Sequence, residues 1–197
     1  EKSFLALKNY CENEDYKGWD PYDGLNSKFF QSTPLKDWGL ARLVWIQCFK
    51  RSPINLRRLL EVPKGYNSKG LGLFLSGYCN LYKLAVRGDI RFGSETEIME
   101  IITRIADLLV EIKNNDYSGA CWGYNFDWQS KAFFLPKGTP TVVATCFVVE
   151  ALVEAYEITH NKVYLDVVLS SADFVSNDLN RIDKPDMSFM FSYSPLD

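Results

Sequence analysis

The chain has 197 residues, and 47% of them are hydrophobic, which is sufficient for one domain with a hydrophobic core. Its formal net charge is −3, and the Lys and Arg residues are scattered along the sequence. We therefore expect no nucleic-acid partner, because such partners require a concentrated basic surface. No apolar run approaches the roughly 20 residues that a transmembrane helix needs, so no membrane span is expected.

The cysteines are five in number and match no metal-binding spacing: Cys11, Cys48, Cys79, Cys121 and Cys146. Four of them lie in or beside apolar helical runs, which is typical of buried reduced thiols. The sequence contains no Asn-X-Ser/Thr glycosylation site. These features favour a reducing, cytoplasmic location, and we expect neither a metal site nor a cofactor.

Helical periodicity dominates the sequence, whereas the alternation typical of strands hardly appears. The clearest helix is 94–113, where Ile98, Ile105 and Leu109 recur at helical spacing. Ser94 and Glu97 have the spacing of an N-terminal capping box for that helix. Seven helices are predicted, in chain order at residues 2–12, 35–50, 53–61, 68–87, 94–113, 139–159 and 162–178.

Three local features add detail to these helices. Asp37 is the expected N-cap of the helix at 35–50. Thr139 followed by Pro140 is the expected start of the helix at 139–159. The helix at 68–87 contains three glycines, which are poor helix formers: Gly70, Gly72 and Gly77. We therefore expect another backbone to pack closely against it.

A short pattern occurs twice in the chain. Residues 62–65 (VPKG) and 135–138 (LPKG) are each followed by an apolar helical run. Aligning the two Pro-Lys-Gly tripeptides places Phe74 on Phe147. The pattern suggests one helical unit that is used more than once.

Long aromatic and polar loops alternate with short connections. The long loops are predicted at 13–34, 62–67, 115–138 and 179–197. In a chain of antiparallel helix pairs every second connection lies at the same end, so these four loops should gather on one face. The helix at 139–159 is apolar almost all round, which is typical of a helix surrounded by others. The predicted fold is therefore all-α, a single domain over 1–197 whose antiparallel hairpins form part of an (α/α)6 toroid.

Three segments carry a resemblance to a known group of proteins. Residues 16–27 (YKGWDPYDGLNS), 122–129 (WGYNFDWQ) and 138–141 (GTPT) resemble uncharacterised bacterial and archaeal proteins associated with polysaccharide biosynthesis. Those proteins are similar to the six-hairpin, glycosidase-like toroids, and the resemblance spans most of the chain. It implies a carbohydrate-active toroid with a glycan or sugar ligand. It also implies that the chain is about half of a toroid, whose partner is the missing half or another chain.

The first candidate site is the segment 19–27. Asp20 and Asp23 are candidate catalytic residues, because glycoside hydrolysis uses two carboxyl groups. The aromatic and amide side chains of Trp19, Tyr22 and Asn26 are candidate substrate contacts. Asp-Pro and Asp-Gly are also turn signals, so the alternative is a loop whose carboxylates cap their own backbone.

The second candidate site is the segment 121–129, in which Asp127 stands between Phe126 and Trp128. Such neighbours predict a desolvated carboxyl that suits a general acid, which makes Asp127 the third candidate catalytic residue. The candidate substrate-binding residues of this segment are Trp122, Tyr124, Asn125, Trp128 and Gln129. The alternative is an aromatic loop that plugs the centre of the fold, with Asp127 paired to Lys131 or to an Arg.

Two further sets of charged residues have open interpretations. Lys64 and Lys137 precede two helices at matched positions, and they either contact an acidic sugar or a diphosphate or are simply solvated. Glu150 lies deep in an apolar run and is a candidate for a buried, paired carboxylate.

Three functions follow from these observations. The favoured one is a carbohydrate-active enzyme that cleaves or remodels a glycan. The second is a non-catalytic protein that binds a glycan or a lipid carrier during polysaccharide biosynthesis. The third is a helical scaffold whose aromatic residues only pack, which predicts that Trp122 and Trp128 are almost fully buried.

Overall fold

The computed structural model describes all 197 residues, from Glu1 to Asp197. The protein is mainly helical, with seven α-helices and two short antiparallel strand pairs. The helices are α1 (Lys2–Asn13), α2 (Lys28–Gln31), α3 (Gly39–Arg51), α4 (Ser68–Val86), α5 (Glu95–Glu111), α6 (Val142–Thr159) and α7 (Lys162–Asn177). The strands are β1 (Trp128–Gln129), paired with β2 (Phe134–Leu135), and β3 (Arg181–Asp183), paired with β4 (Phe189–Phe191). None of the helices has both the length and the apolar character that crossing a membrane requires.

Helices α4 to α7 build the main hydrophobic core. The apolar stripe predicted for α5 faces this core, where Ile98, Ile102 and Ile105 are each at most 1% exposed. The predicted capping box at the start of α5 is present. The Glu97 N–H donates to the Ser94 hydroxyl oxygen, and the Ser94 N–H donates to the Glu97 carboxylate. Local sequence signals and core burial thus agree for this helix.

Helices α4 and α6, which follow the two Pro-Lys-Gly tripeptides, pack more extensively against each other than any other pair. At their closest approach, a Cβ on Gly72 would lie only 2.9 Å from the carbonyl oxygen of Phe147. The expectation of a closely packed backbone is therefore confirmed at Gly72. It is wrong at Gly77, which faces open space, and at Gly70, where the nearest atoms belong to the Asn67 side chain.

The N-terminal part of the chain joins this core through α1 and through a smaller cluster. The Tyr78 hydroxyl of α4 donates to the carboxylate of Glu12 in α1 at 2.7 Å. Leu25, Phe30 and Ile46 form a separate buried cluster that holds α2 and α3. Helix α3 packs mainly against the turns at 23–26 and 34–37. In a toroid of the predicted kind, by contrast, α3 would be an inner helix that packs beside α4.

The prediction of a helix at 53–61 is wrong, because this segment forms a series of turns. Two side chains hold the backbone of these turns. The Ser52 hydroxyl accepts a hydrogen bond from the Ile54 N–H, and the Asn55 side chain accepts one from the Arg57 N–H. Such bonds compete with helical ones. The short helix α2 and both strand pairs were not predicted.

Two predicted caps also differ from the structure. Helix α3 begins after Trp38 rather than at Asp37, which ends the preceding turn. Helix α6 is capped by Thr141, whose hydroxyl accepts the Ala144 N–H at 3.1 Å, rather than by Thr139.

The prediction that the cysteines and Glu150 are buried is correct for only some of these residues. Cys79 and Cys121 are buried, but Cys48 and Cys146 are exposed. Glu150, the candidate buried carboxylate, is also exposed. The apolar neighbours of Cys146 and Glu150 in sequence therefore did not reveal which face of α6 each residue occupies, because α6 is apolar on most of its faces.

Candidate functional site

The four long loops meet on one side of the helices, as predicted. The backbones of Gly18 and Gly65 exchange two hydrogen bonds of 3.1 Å, which joins the first loop to the second. The side chain of Asn26 donates to the carbonyl of Asn125 at 2.8 Å, which joins the first loop to the third. The fourth loop arrives through Tyr193, whose ring packs edge-on to Trp128.

A cleft of about 630 Å³ lies where these loops meet, and we call it the aromatic cleft. Its aromatic lining residues are Tyr10, Tyr16, Trp19, Tyr22, Phe74, Tyr124, Phe126, Trp128 and Tyr193. Its polar lining residues include Glu14, Lys17, Asp20, Asn67, Lys69 and Asn125. A largely apolar pocket of this size with a few polar groups is typical of a small-molecule site.

Asp20 is the candidate catalytic residue that lies on the wall of this cleft. One carboxylate oxygen accepts the Tyr22 N–H at 2.9 Å, and the other accepts the side-chain N–H of Asn67 at 3.2 Å. Burial raises the pKa of Asp20 above its usual value, and the Tyr22 N–H and the Arg57 charge offset part of this increase. The carboxyl group therefore holds its loop in shape and also faces the cleft.

Asp23 is 3% exposed and forms a buried ion pair, so it is not available to a ligand. Its Oδ1 accepts the Arg57 Nε–H at 2.8 Å, and its Oδ2 accepts the Asp20 N–H at 3.0 Å. The turn interpretation of the segment 19–27 thus describes both Asp20 and Asp23.

Asp127 has a different environment from the one its neighbours predicted. It is half-buried, lies outside the aromatic cleft, and accepts the backbone N–H of Lys137 at 2.7 Å. Phe126 and Trp128 line the cleft on either side of it in sequence. The expected ion pair with Lys131 is also absent. Asp127 therefore closes its own loop, and it does not converge with Asp20 and Asp23 around one cavity.

Trp122 and Gln129 also lie outside the aromatic cleft. Trp122 is 1% exposed, and its indole N–H donates to the carbonyl of Leu109 at 2.8 Å, so it belongs to the core. The Gln129 side chain accepts the Arg42 Nε–H at 2.8 Å and donates to the Phe133 carbonyl, which fixes the β1–β2 pair. Trp122 is thus inaccessible to a substrate, and the amide of Gln129 is engaged within the protein.

The remaining predicted contacts are brought together. Trp19, Tyr22, Tyr124, Asn125 and Trp128 all line the aromatic cleft. Asn26 does not line the aromatic cleft and instead lines a second cavity. The Oδ1 atom of Asn125 is buried and has no hydrogen-bond partner in the protein.

Several lining residues were not predicted as ligand contacts. Tyr16 and Phe74 were not among the candidate contacts, and their rings lie 5.2 Å apart in the cleft wall. Asn67 had one local signal, since it precedes a helix, and its side chain does cap α4 by accepting the Gly70 N–H. That cap places Asn67 against Asp20, a contact that only the folded chain creates.

A second cavity of about 590 Å³, the polar cleft, adjoins the first. Gly65, Tyr124 and Asn125 line both cavities and form the wall between them. The charged residues that line the polar cleft are Lys64, Lys113, Asp116 and Lys137.

The structure contains no group of three or more His, Cys, Asp or Glu residues that could hold a metal ion. Comparison with family models, with curated proteins and with solved structures found no match to this chain. The function is therefore argued from the geometry and chemistry of the two clefts.

Proposed function

We propose that this protein binds a carbohydrate in the aromatic cleft without cleaving it. The cleft volume of about 630 Å³ suits a small ligand, and its walls are built mainly from tyrosine, tryptophan and phenylalanine rings. Such rings offer flat apolar faces to the C–H faces of a sugar ring. Tyrosine and tryptophan also carry polar groups at the ring edge, which suits a ligand with hydroxyls around an apolar face.

The observation that carries this proposal is the buried, unpaired Oδ1 atom of Asn125 in the wall of an aromatic cleft. A buried acceptor without a donor costs roughly 1–3 kcal/mol of stability. If the Asn125 side chain turns toward the cleft, a sugar hydroxyl that donates to Oδ1 removes this cost on binding. Asp20 and Asn67, on the same wall, offer further hydrogen-bonding groups to neighbouring hydroxyls.

Hydrolysis is a second candidate, and the observation in its favour is the raised pKa of Asp20, a property of general acids. It ranks below binding because the mechanism needs two carboxyl groups. Asp23 is engaged by Arg57, and Asp127 is engaged by the Lys137 N–H. The other carboxyl on the cleft wall, Glu14, is ion-paired with Lys64.

The toroid remains part of this proposal. Helices α4 and α6 would be inner helices, with α5 and α7 outside them, and further hairpins or another chain would complete the ring. Exposed apolar side chains of α3, such as Leu40 and Val44, would then be covered. A role in polysaccharide biosynthesis follows only from the resemblance of the loop segments.

The test is binding of the protein to a panel of immobilised glycans, followed by calorimetric titration with the best binder. Asn125→Ala should lower the affinity roughly 5- to 100-fold, since it removes one buried hydrogen bond to the ligand. Asn80→Ala, at an exposed position of α4 outside both clefts, is the matched control.

A second matched pair tests the aromatic wall. Trp128→Ala should abolish measurable binding, whereas Trp38→Ala should leave it unchanged, because Trp38 is 59% exposed and lies outside both clefts. Circular dichroism of both variants controls for folding. If no glycan binds, or if Asn125→Ala and Trp128→Ala bind like the wild type, the proposal is wrong. Release of new reducing ends from the bound glycan, lost in Asp20→Asn, would instead favour hydrolysis.

A further inference from the structure

The polar cleft differs in chemistry from the aromatic cleft beside it. The two Pro-Lys-Gly tripeptides meet there, since residues 63–65 and Lys137 with Gly138 all line it. Few of its lining residues are apolar, and its volume is about 590 Å³. The sequence repeat therefore contributes one segment from each copy to the same cavity.

The lysines of the polar cleft differ in how they are paired. Lys64 lies over the Trp19 ring and forms an ion pair with Glu14, so its charge already has a carboxylate partner. The Lys113 ammonium donates to a single backbone carbonyl at 3.3 Å. Lys137 is exposed and forms no ion pair. Two ammonium groups without a carboxylate partner thus border this cavity.

Only one carboxylate, that of Asp116, lines the polar cleft with these two lysines. Three glycines line its wall: Gly65, Gly123 and Gly138. Gly65 and Gly123 pack against other parts of the protein, since an added Cβ would lie 2.7 Å from the Asn125 side chain and 2.2 Å from the Thr139 carbonyl oxygen, respectively, whereas Gly138 faces open space. The unpaired ammonium groups beside this cavity are chemically suited to an anion such as a phosphate or a carboxylate.

We propose that the polar cleft binds the anionic group of the ligand whose sugar ring occupies the aromatic cleft. This inference rests on the proposed function, and it narrows the ligand to an acidic or phosphorylated sugar. Gly65, Tyr124 and Asn125 line both cavities, and this shared wall supports the inference. A ligand that extends across it places its sugar ring in one cavity and its anionic group in the other. Lys113 and Lys137 neutralise the anion, and Asp116 opposes it.

The first experiment tests the anion site by itself, with pyrophosphate added to ¹⁵N-labelled protein and followed by NMR. Amide shifts should change at Asn114, Gly123 and Gly138, which line the polar cleft. Lys137→Gln should weaken binding roughly five- to tenfold, because it removes one charge-assisted contact. Asp116→Asn should strengthen it, because it removes the opposing charge. Lys131→Gln, an exposed lysine of the same loop outside both clefts, should have no effect.

The second experiment distinguishes the two sources of the anion. Glucose, glucuronic acid and glucose 1-phosphate are titrated into the wild type and into Lys137→Gln. A preference for glucuronic acid that Lys137→Gln removes indicates a uronic acid ligand, and the same result with glucose 1-phosphate indicates a sugar phosphate. Binding of both acids in preference to glucose indicates a site for either anion.

The outcomes separate this inference from the proposed function. Neutral glycans that bind the aromatic cleft, without any response to pyrophosphate or to Lys137→Gln, would overturn the anion site alone. Pyrophosphate binding that Lys137→Gln weakens, without any glycan binding, would support an anion site and overturn the glycan proposal. Equal effects of Lys131→Gln and Lys137→Gln would mean that the anion binds through overall charge, and would also overturn the site.

Discussion

Asp23 and Arg57 form a buried ion pair that joins the first long loop to the turns at 53–61. The Arg57 Nε–H donates to Asp23 at 2.8 Å, and its Nη2 donates to the Asp20 carbonyl at 2.7 Å. The side chains are only 4% and 13% exposed for Asp23 and Arg57, respectively. This pair therefore shapes the segment that carries Trp19, Asp20 and Tyr22 into the aromatic cleft.

The first prediction follows from this burial. Arg57→Leu should lower the free energy of unfolding by about 3–5 kcal/mol, because it leaves the Asp23 carboxylate buried without its partner. Adding Asp23→Asn to Arg57→Leu should recover part of the loss, since the uncompensated charge is then gone. Urea denaturation of the two single variants and the double variant measures both effects.

A matched control uses a surface ion pair near the same loop. Lys28 and Glu61 are 3.6 Å apart, with side chains that are 73% and 65% exposed. Lys28→Gln should change the free energy of unfolding by at most about 1 kcal/mol, as is usual for exposed pairs. An equally small effect of Arg57→Leu would mean that the buried pair does not hold the loop.

The second prediction concerns the contact between α4 and α6. Gly72→Ala should destabilise the protein by about 1–3 kcal/mol, because the added methyl group would overlap the Phe147 carbonyl unless the helices move apart. Gly77→Ala in the same helix has open space and should stabilise it by about 0.5–1 kcal/mol through helix propensity. Thermal denaturation of both variants gives opposite signs if the close approach is real. Two stabilising effects would contradict it.

The third prediction concerns the hydrogen-bonded side chains between α1 and α4. The Tyr16 hydroxyl donates to Tyr78 at 2.9 Å, and Tyr78 donates to Glu12. Burial is the main cause of the raised pKa of Tyr78, and the bonds to Tyr16 and Glu12 add to it. Tyr78→Phe should cost about 1–3 kcal/mol, since it leaves the buried Tyr16 hydroxyl without its acceptor and removes one contact of Glu12, which keeps its ion pair with Lys8.

Tyr82→Phe is the control for this third prediction. Tyr82 lies half-buried in the same helix, and its hydroxyl is not part of the Tyr16–Tyr78–Glu12 chain. Its replacement should change the free energy of unfolding much less in the same urea titration. Equal losses for Tyr78→Phe and Tyr82→Phe would show that ring packing, and not hydrogen bonding, determines stability here.

The sequence predicted the parts of this fold that depend on local signals. Helix α5 has both an apolar stripe and a capping box, and both are present. The segment 53–61 has helix-compatible residues, yet Ser52 and Asn55 bond to the backbone and turn it. Propensity alone does not reveal that competition. The gathering of the last three long loops was predictable because α4 to α7 alternate in direction, which determines the ends that these loops share. The position of the first loop was not, because its prediction relied on the absent helix at 53–61.

The candidate site was predictable as a region but not as a set of side chains. Asp127 was expected to be desolvated by Phe126 and Trp128, but those two rings line the aromatic cleft while Asp127 accepts the Lys137 N–H outside it. Trp122 has the composition of a sugar contact, yet its indole bonds to the end of α5, which lies next to it only after folding. Non-local contacts of this kind leave no local pattern in the sequence.

The fourth prediction is the pH dependence that Asp20 gives to stability. Burial raises its pKa, so the folded protein binds the proton more tightly than the unfolded chain does. The stability that Asp20 contributes is therefore fully present below the unfolded pKa of about 3.9, and it is lost as pH rises through the folded pKa. Asp20→Asn removes this loss. The free energy of unfolding of Asp20→Asn, relative to wild type, should increase from about pH 4 upward and level off near neutral pH.

Asp186 provides a control of opposite sign for the same urea titrations. Hydrogen bonds from the Ser188 hydroxyl and N–H lower the pKa of Asp186, so its contribution is present above the unfolded pKa and is lost as pH falls. Asp186→Asn should therefore fall below wild type at neutral pH and approach it in acid. Asp20→Asn also alters the contact with Asn67, and that change shifts the free energy of unfolding equally at every pH. The change of the free energy of unfolding with pH is therefore the quantity to compare between the variants. Parallel curves for wild type and Asp20→Asn would mean that this carboxyl is solvated, and would also remove the basis for a general acid in the cleft.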